Sequence, residues 1–183
     1  RGDVLILTKA LGTGTLFAAD MQQKAKGRWI DEAIMSMVQS NRIASKVLFL
    51  HGATACTDVT GFGLLGHLVE MIKPSGVDVE IDLQSLPLIE GALETVEMGI
   101  LSSLQPANVR LRRAILNRQA ASESVLYPLV FDPQTSGGLL ASIPAVKADE
   151  CLQQLIQAGY SRSAIVGRVV VESDNLEPVT LIV

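Results

Sequence analysis

Cysteine is scarce: Cys56 and Cys151 are the only two in 183 residues, and they lie far apart. That excludes a disulfide framework and a four-ligand zinc site, and makes a reducing cytoplasm the simplest setting. Charge is scarce as well, at 19% of residues, and no basic run is interleaved with aromatics. With 15 basic against 19 acidic side chains, the net charge of -4 gives no broad attraction to nucleic acid. ATP, itself an anion, would need a local pocket with metal ions or a few basic side chains. No apolar run reaches the roughly 18 residues of a membrane span, and the opening Arg1-Gly2-Asp3 lacks signal-peptide character. The expectation is a soluble protein that binds neither nucleic acid nor membrane, cut from a longer chain. The Arg-Gly-Asp triplet recurs by chance and abuts an apolar strand, which argues against an adhesion motif.

What is present is apolar: 48% of the chain, enough for one compact domain with a substantial core. Val4 to Lys9 reads as a strand, Gly12-Thr13-Gly14 as a turn, and Leu16 to Ala25 as a helix. From Trp29 to Leu50 the spacing of Ile34, Met37, Val38, Ala44, Val47 and Leu48 predicts a helical packing face that ends at Gly52. A second such pattern from Leu64 to Ile72 stops near Pro74-Ser75-Gly76. Val77 to Leu83 alternates as a half-buried strand. Helices are expected from Pro87 to Met98 and from Val109 to Ala121, with the stretch between Leu101 and Asn108 ambiguous. Leu129 to Phe131 and Leu139 to Ile143 read as two strands around a polar loop. A helix at Ala148 to Ala158 and strands at Ala164 to Val171 and Pro178 to Val183 complete a mixed α and β domain, with neither repeat nor low-complexity tract.

Chemistry concentrates in three loops. In Thr57-Asp58-Val59-Thr60-Gly61-Phe62-Gly63, a carboxylate sits between two hydroxyls just before a helix. Asp58 suits one oxygen ligand of a hydrated Mg²⁺, or equally a cap on nearby amides. Thr57 and Thr60 suit backbone capping, metal-water contacts or phosphate contacts, and Gly61 and Gly63 permit close approach or positive φ. Gly66 fits close helix packing. His67 is either a functional imidazole or a polar side chain satisfied at an interface. Cys56 lacks an assignable base and is withheld from the catalytic residues. Asp132 with Thr135-Ser136-Gly137-Gly138 forms a second loop, read as a structural turn or as phosphate-facing amides. Lys9 with Thr13 and Gly14 forms a third, in which lysine either neutralises phosphate or faces solvent at a strand end. Neither a phosphate loop ending in Gly-Lys-Ser/Thr nor a dinucleotide fingerprint is present.

Three segments resemble the C-terminal domain of the selenophosphate synthetase (selenide, water dikinase) family. They are Gly2 to Lys9 with Leu11-Gly12-Thr13-Gly14, the run Thr57 to His67, and Asp132-Pro133-Gln134-Thr135-Ser136-Gly137-Gly138-Leu139-Leu140. The likeness spans essentially all 183 residues, with one departure at Ala10, where the family often has proline.

The resemblance implies an α+β layered fold, a mixed and largely antiparallel sheet covered by helices, like the C-terminal domain of aminoimidazole ribonucleotide synthetase. Residues 1–183 would be a single C-terminal synthetase-type domain without its N-terminal nucleotide domain. The whole enzyme would convert ATP, selenide and water to selenophosphate, AMP and phosphate, using Mg²⁺ and a monovalent cation such as K⁺, as a cytoplasmic homodimer. By the same resemblance Asp58 would be a metal ligand, and Thr57, Thr60, Gly61, Gly63, Gly137 and Gly138 would shape or contact the nucleotide site. The family's mobile cysteine and lysine segment and its other metal-binding aspartates belong to the missing half. The piece alone is therefore expected to be inactive, and neither Cys56 nor Lys9 replaces those groups. The alternatives are another ATP-using enzyme of the superfamily, acting in purine synthesis, thiamin phosphate metabolism or hydrogenase maturation, or a non-catalytic assembly or regulatory domain.

Overall fold

The computed structural model describes residues 2–183, so the Arg1 end of the Arg-Gly-Asp triplet lies outside the described residues. Six strands form one sheet in the order β2-β4-β1-β5-β3-β6. They are β1 (Asp3–Leu7), β2 (Ala55–Asp58), β3 (Asp78–Asp82), β4 (Leu139–Pro144), β5 (Ala164–Val170) and β6 (Val179–Ile182). Only the β3–β6 pairing is parallel, so the sheet is mixed and largely antiparallel, as expected. Helices cover both faces. Along β1, Leu5 and Leu7 enter one apolar cluster and Ile6 the other, because successive side chains point to opposite faces. A central strand covered on both sides reads as an unbroken apolar run, which is how Val4 to Leu7 appears in the sequence.

One face carries α3 (Arg42–Leu50) and α8 (Ala145–Gln157), whose Ala44, Val47, Leu48, Cys151 and Leu155 pack with Ile6, Ala141 and Ile143. The opposite cluster takes side chains from α1 (Thr13–Met21), α2 (Gly27–Val38), α4 (Gly63–Ile72) and α5 (Ala92–Glu97), along with the short α7 (Arg118–Ala121). Between α5 and α7 comes the single turn α6 (Gln105–Asn108).

Several expected elements are corrected. The helical stretch from Trp29 to Leu50 is two helices, broken between Val38 and Arg42. Side chains occupy the break: Lys9 Nζ donates to the Gln39 carbonyl at 2.6 Å and Tyr160 Oη to the Ser40 carbonyl at 2.5 Å. In α2 the buried residues are Trp29 and Ala33, whereas Ile34 and Val38 are exposed. The helix expected from Pro87 begins only at Ala92, because Pro87 to Ile89 pairs in extended form with Leu11 (Leu11 N to Pro87 O, 2.8 Å; Ile89 N to Leu11 O, 2.9 Å). Gly91 follows with φ +87°, and a Cβ there would lie 2.1 Å from the Trp29 ring, so only glycine fits. Val109 to Ala121 is a 3₁₀ segment, a bridge from Ile115 to Val179, and then α7. Leu129 to Phe131 is the end of a 3₁₀ turn (Tyr127–Phe131), not a strand; an apolar triplet that short fits either when buried.

Candidate functional site

The pairing of β4 with both β1 and β2 brings three loops to one end of the sheet. The loops leaving β1 (residues 8–14) and β2 (residues 59–62) meet the loop entering β4 (residues 132–138). Backbone bonds lock the junction: Val59 N donates to Gly138 O (2.8 Å), Thr8 N to Leu139 O (3.0 Å) and Gln134 N to Thr60 O (3.0 Å). Between them lies a cleft of about 390 Å³ whose lining includes Thr13, Gly14, Gly61, Pro133, Gln134 and Thr135.

Gln134 holds this junction together. Its Oε1 accepts from Gly12 N, Thr13 N and Thr13 Oγ1, at 3.1, 3.3 and 3.2 Å. Its Nε2 donates to the carbonyl and to Oδ2 of Asp132, both at 2.9 Å. Thr13 Oγ1 in turn accepts from Thr135 N at 2.9 Å, and Asp132 Oδ2 accepts a second bond from Gly14 N at 3.1 Å. No periodicity marks Gln134 in the sequence. The available signal was a side-chain amide, with donor and acceptor ends, between an aspartate and a glycine pair.

Asp132 Oδ1 is buried without a partner, while Oδ2 takes both N–H bonds. Burial pushes this carboxyl from an ordinary 3.8 up to about 7, against the lowering effect of the Gln134, Gly14 and Thr15 bonds. Protonation removes the charge from this buried group, although Oδ1 has no hydrogen-bond partner in either state. Between about pH 4 and about pH 7 the folded protein then holds a proton that the unfolded chain has released, so stability falls as pH rises through this window. The slope is at most about 1.4 kcal/mol per pH unit. Asp132→Asn retains the accepting oxygen and removes the ionisation, so it should flatten that slope and stabilise the chain near pH 8 by about 1–2 kcal/mol. Urea titrations from pH 4 to 8 check this; an unchanged slope in the variant would assign the proton elsewhere.

The remaining glycines separate by their surroundings. A Cβ on Gly137 would lie 2.1 Å from Val59 O, and one on Gly138 2.6 Å from Lys9 N. One on Gly63, whose φ is +70°, would lie 2.8 Å from the Phe131 backbone. Loop packing accounts for glycine at those three positions. Gly61 differs, with open space where its Cβ would stand and its carbonyl held by Asn108 Nδ2 at 2.8 Å, so its backbone is accessible to a ligand.

Lys9 is neither free nor solvent-facing. It is buried, its Nζ bonds the Gln39 and Ser136 carbonyls, and burial lowers its pKa. With Asn41, which donates to Gly137 O at 2.9 Å, it ties the α2–α3 break to the turn before β4.

Asp58 ends the edge strand β2, exposed, outside the lining of the cleft and with no side-chain hydrogen bond or ion pair among the described residues. No side chain caps α4, so the capping alternative has no contact to support it. Thr57 is half-buried, its hydroxyl 3.3 Å from the Asp58 carbonyl. Cys56 is exposed as a residue, yet partial desolvation of the thiol and then the Asp58 carboxylate raise its pKa, which disfavours a nucleophilic thiolate. An uncommitted anionic oxygen fits a single donor to a hydrated cation. No group of three or more His, Cys, Asp or Glu side chains among the described residues is placed to hold a metal, so the chain supplies only part of such a site.

His67, expected as either a functional or a satisfied imidazole, is buried and partnered on both nitrogens, by Thr60 and Glu70.

Comparison with known proteins agrees with the fold. The chain is 42% identical over 168 residues to selenide, water dikinase of Caldanaerobacter subterraneus subsp. tengcongensis, covering 92% of this chain and 48% of that protein. It is 38% identical over 183 residues to selenide, water dikinase of Treponema denticola, covering 96% of this chain and 51% of that protein. It thus spans about half the length of these relatives. The crystal structure of E. coli HypE superposes with a TM-score of 0.70 at 20% identity, covering 98% of this chain and 46% of that one, a likeness of fold. The family described as AIR synthase related protein, C-terminal domain, matches residues 1–176, and the chain belongs to that family.

Proposed function

We propose that the chain is the C-terminal domain of an ATP-dependent selenide, water dikinase, which makes selenophosphate, AMP and phosphate from selenide, ATP and water. The reading rests on one observation. The run from Thr57 to His67 and the run from Asp132 to Leu140 are joined at one end of the sheet, with the Asp58 carboxylate beside that junction and uncommitted. The identity to dikinases across nearly the whole chain supports the substrate.

In this reading residues 1–183 form one domain, and the N-terminal nucleotide domain belongs to the rest of the parent protein. Asp58 supplies one oxygen to Mg²⁺, which when bound neutralises the charge of the reacting phosphates. Thr57, Thr60 and Gly61 form the polar surface beside it, and Gly63, Gly137 and Gly138 let the backbone close behind that surface. The work of this half is to hold its carboxylate and loop amides in fixed positions against the nucleotide. K⁺, a homodimeric parent and a cytoplasmic setting complete the proposal. No helix among the described residues is long and apolar enough to cross a membrane.

The test is co-expression with the N-terminal half of a dikinase relative, supplied with ATP and Mg²⁺ together with selenide, thiamin monophosphate or an amidine precursor. Selenophosphate in the phosphorus-31 spectrum is the expected product. Phosphorylation of another acceptor would assign the chain elsewhere in the superfamily, and stable assembly without turnover would support a non-catalytic domain.

A further inference from the structure

Thr60, His67 and Glu70 form a hydroxyl, imidazole and carboxylate chain. Thr60 Oγ1 lies 3.0 Å from His67 Nε2, and His67 Nδ1 lies 3.3 Å from Glu70 Oε2. Helix α4 builds it: residues 67 and 70 are one turn apart and face the same way. Gly66 lets the Phe62 side chain lie against the helix, since a Cβ there would stand 2.6 Å from Phe62 Cβ. The Phe62 ring then covers the imidazole with centroids 5.7 Å apart.

The order of partners favours one placement of the protons. A carboxylate only accepts, so the Glu70 oxygen 3.3 Å from Nδ1 favours the tautomer with its hydrogen there. In the neutral ring Nε2 then carries a lone pair, and it accepts the single hydroxyl proton of Thr60. What Thr60 offers outward is oxygen lone pairs. A loop threonine without such a partner rotates its proton to suit any neighbour; this one is committed.

We infer that His67 and Glu70 are positioning residues that hold Thr60 as a hydrogen-bond acceptor, so that its oxygen receives a water of the hydrated cation at Asp58 instead of donating to a phosphate oxygen. The inference rests on the function proposed above. Phosphate oxygens require donors, whereas metal-bound waters are donors. Val59 is fully buried, and Asp58, exposed, and Thr60, half-buried, flank it in the chain. Glu70 is 62% exposed, so water screens its charge and its part is to orient the ring. That favours orienting the hydroxyl over activating it as a nucleophile.

Two measurements decide. In the ¹⁵N-labelled 183-residue chain at pH 8, long-range nitrogen–proton spectra should show His67 protonated on Nδ1, with His51→Gln assigning the other histidine. Glu70→Ala, a change at an exposed position, should shift His67 toward the Nε2–H form. Protonated Nε2 in the unmodified chain would overturn the inference and leave the dikinase reading standing. In the enzyme assembled with its N-terminal half, Thr60→Val should raise the Mg²⁺ concentration for half-maximal rate by roughly tenfold, with the KM for ATP little changed. Glu70→Ala should raise it roughly threefold. A raised KM for ATP at unchanged metal requirement would mean that Thr60 serves phosphate, and would overturn the inference.

Discussion

Purified residues 1–183, mixed with ATP, Mg²⁺ and selenide, should give no selenophosphate above the enzyme-free background. Magnesium gives up its waters reluctantly and is held by several oxygens in near-octahedral array. Among the described residues, only the exposed Asp58 offers a free carboxylate at the loop junction, and no three potential ligands converge. Among the described residues neither cysteine nor Lys9 is set up as a nucleophile: Cys56 is held toward its thiol form, Cys151 is buried with its pKa raised to about 11, and Lys9 is spent on two carbonyls. Proximity and electrostatic preorganisation, which must supply most of a phosphoryl-transfer rate, need both walls of a site. In the function proposed above this chain forms one wall; it spans about half the length of the dikinases it matches. Phosphorus-31 NMR over several hours measures the outcome, and adding the N-terminal half should restore the signal. Sustained product from the chain alone would mean that the catalytic groups lie within these residues and that the division of labour proposed above is wrong.

How much of this was legible beforehand depended on whether local pattern and tertiary contact agreed. β3 was read to within a residue, because Val79 and Ile81 are buried and alternate with Asp78, Glu80 and Asp82 at the period of a strand covered unequally on its two faces. Helix α4 ends at Ile72 and a 3₁₀ turn, Lys73–Ser75, closes at Gly76 with φ +57°, which agrees with an apolar face stopping near Pro74-Ser75-Gly76. The break between α2 and α3 was invisible, since it is stabilised by Lys9 and Tyr160, residues about 30 and 120 positions away. The extended segment at Pro87 likewise exists because Leu11 is there to pair with it. At the site, composition singled out the three loops but not their order of contact. Gln134 stands inside the quoted motif without a role of its own, though it bonds two of the loops together, and Lys9, expected at a phosphate or in solvent, is a buried tie. Gly137 and Gly138 show the same limit, because a glycine needed for ligand approach and one needed for backbone packing look alike until the neighbouring carbonyl is seen.

Asp58→Asn should separate charge from shape in the assembled enzyme. The substitution keeps the size of the side chain and one accepting oxygen, and removes the negative charge. Its effect on folding should be small, about 0.5 kcal/mol or less, since the native side chain is exposed and holds no hydrogen bond that the amide would forfeit. The nearby Cys56 thiol would even be relieved of a like-charged neighbour, and its pKa should move down toward the ordinary value. Turnover should respond far more. A metal at the reacting phosphates contributes several kcal/mol of charge stabilisation, so weakening one of its anionic ligands should lower kcat about a hundred- to thousandfold, or roughly 3–4 kcal/mol. The Mg²⁺ requirement should rise in parallel. A thermal melt, a magnesium titration of the rate and a thiol titration of Cys56 measure the three consequences separately. If the melt shifts markedly while rate and metal requirement hold, Asp58 serves the fold, and the carboxylate that anchors the cation must be sought outside this chain.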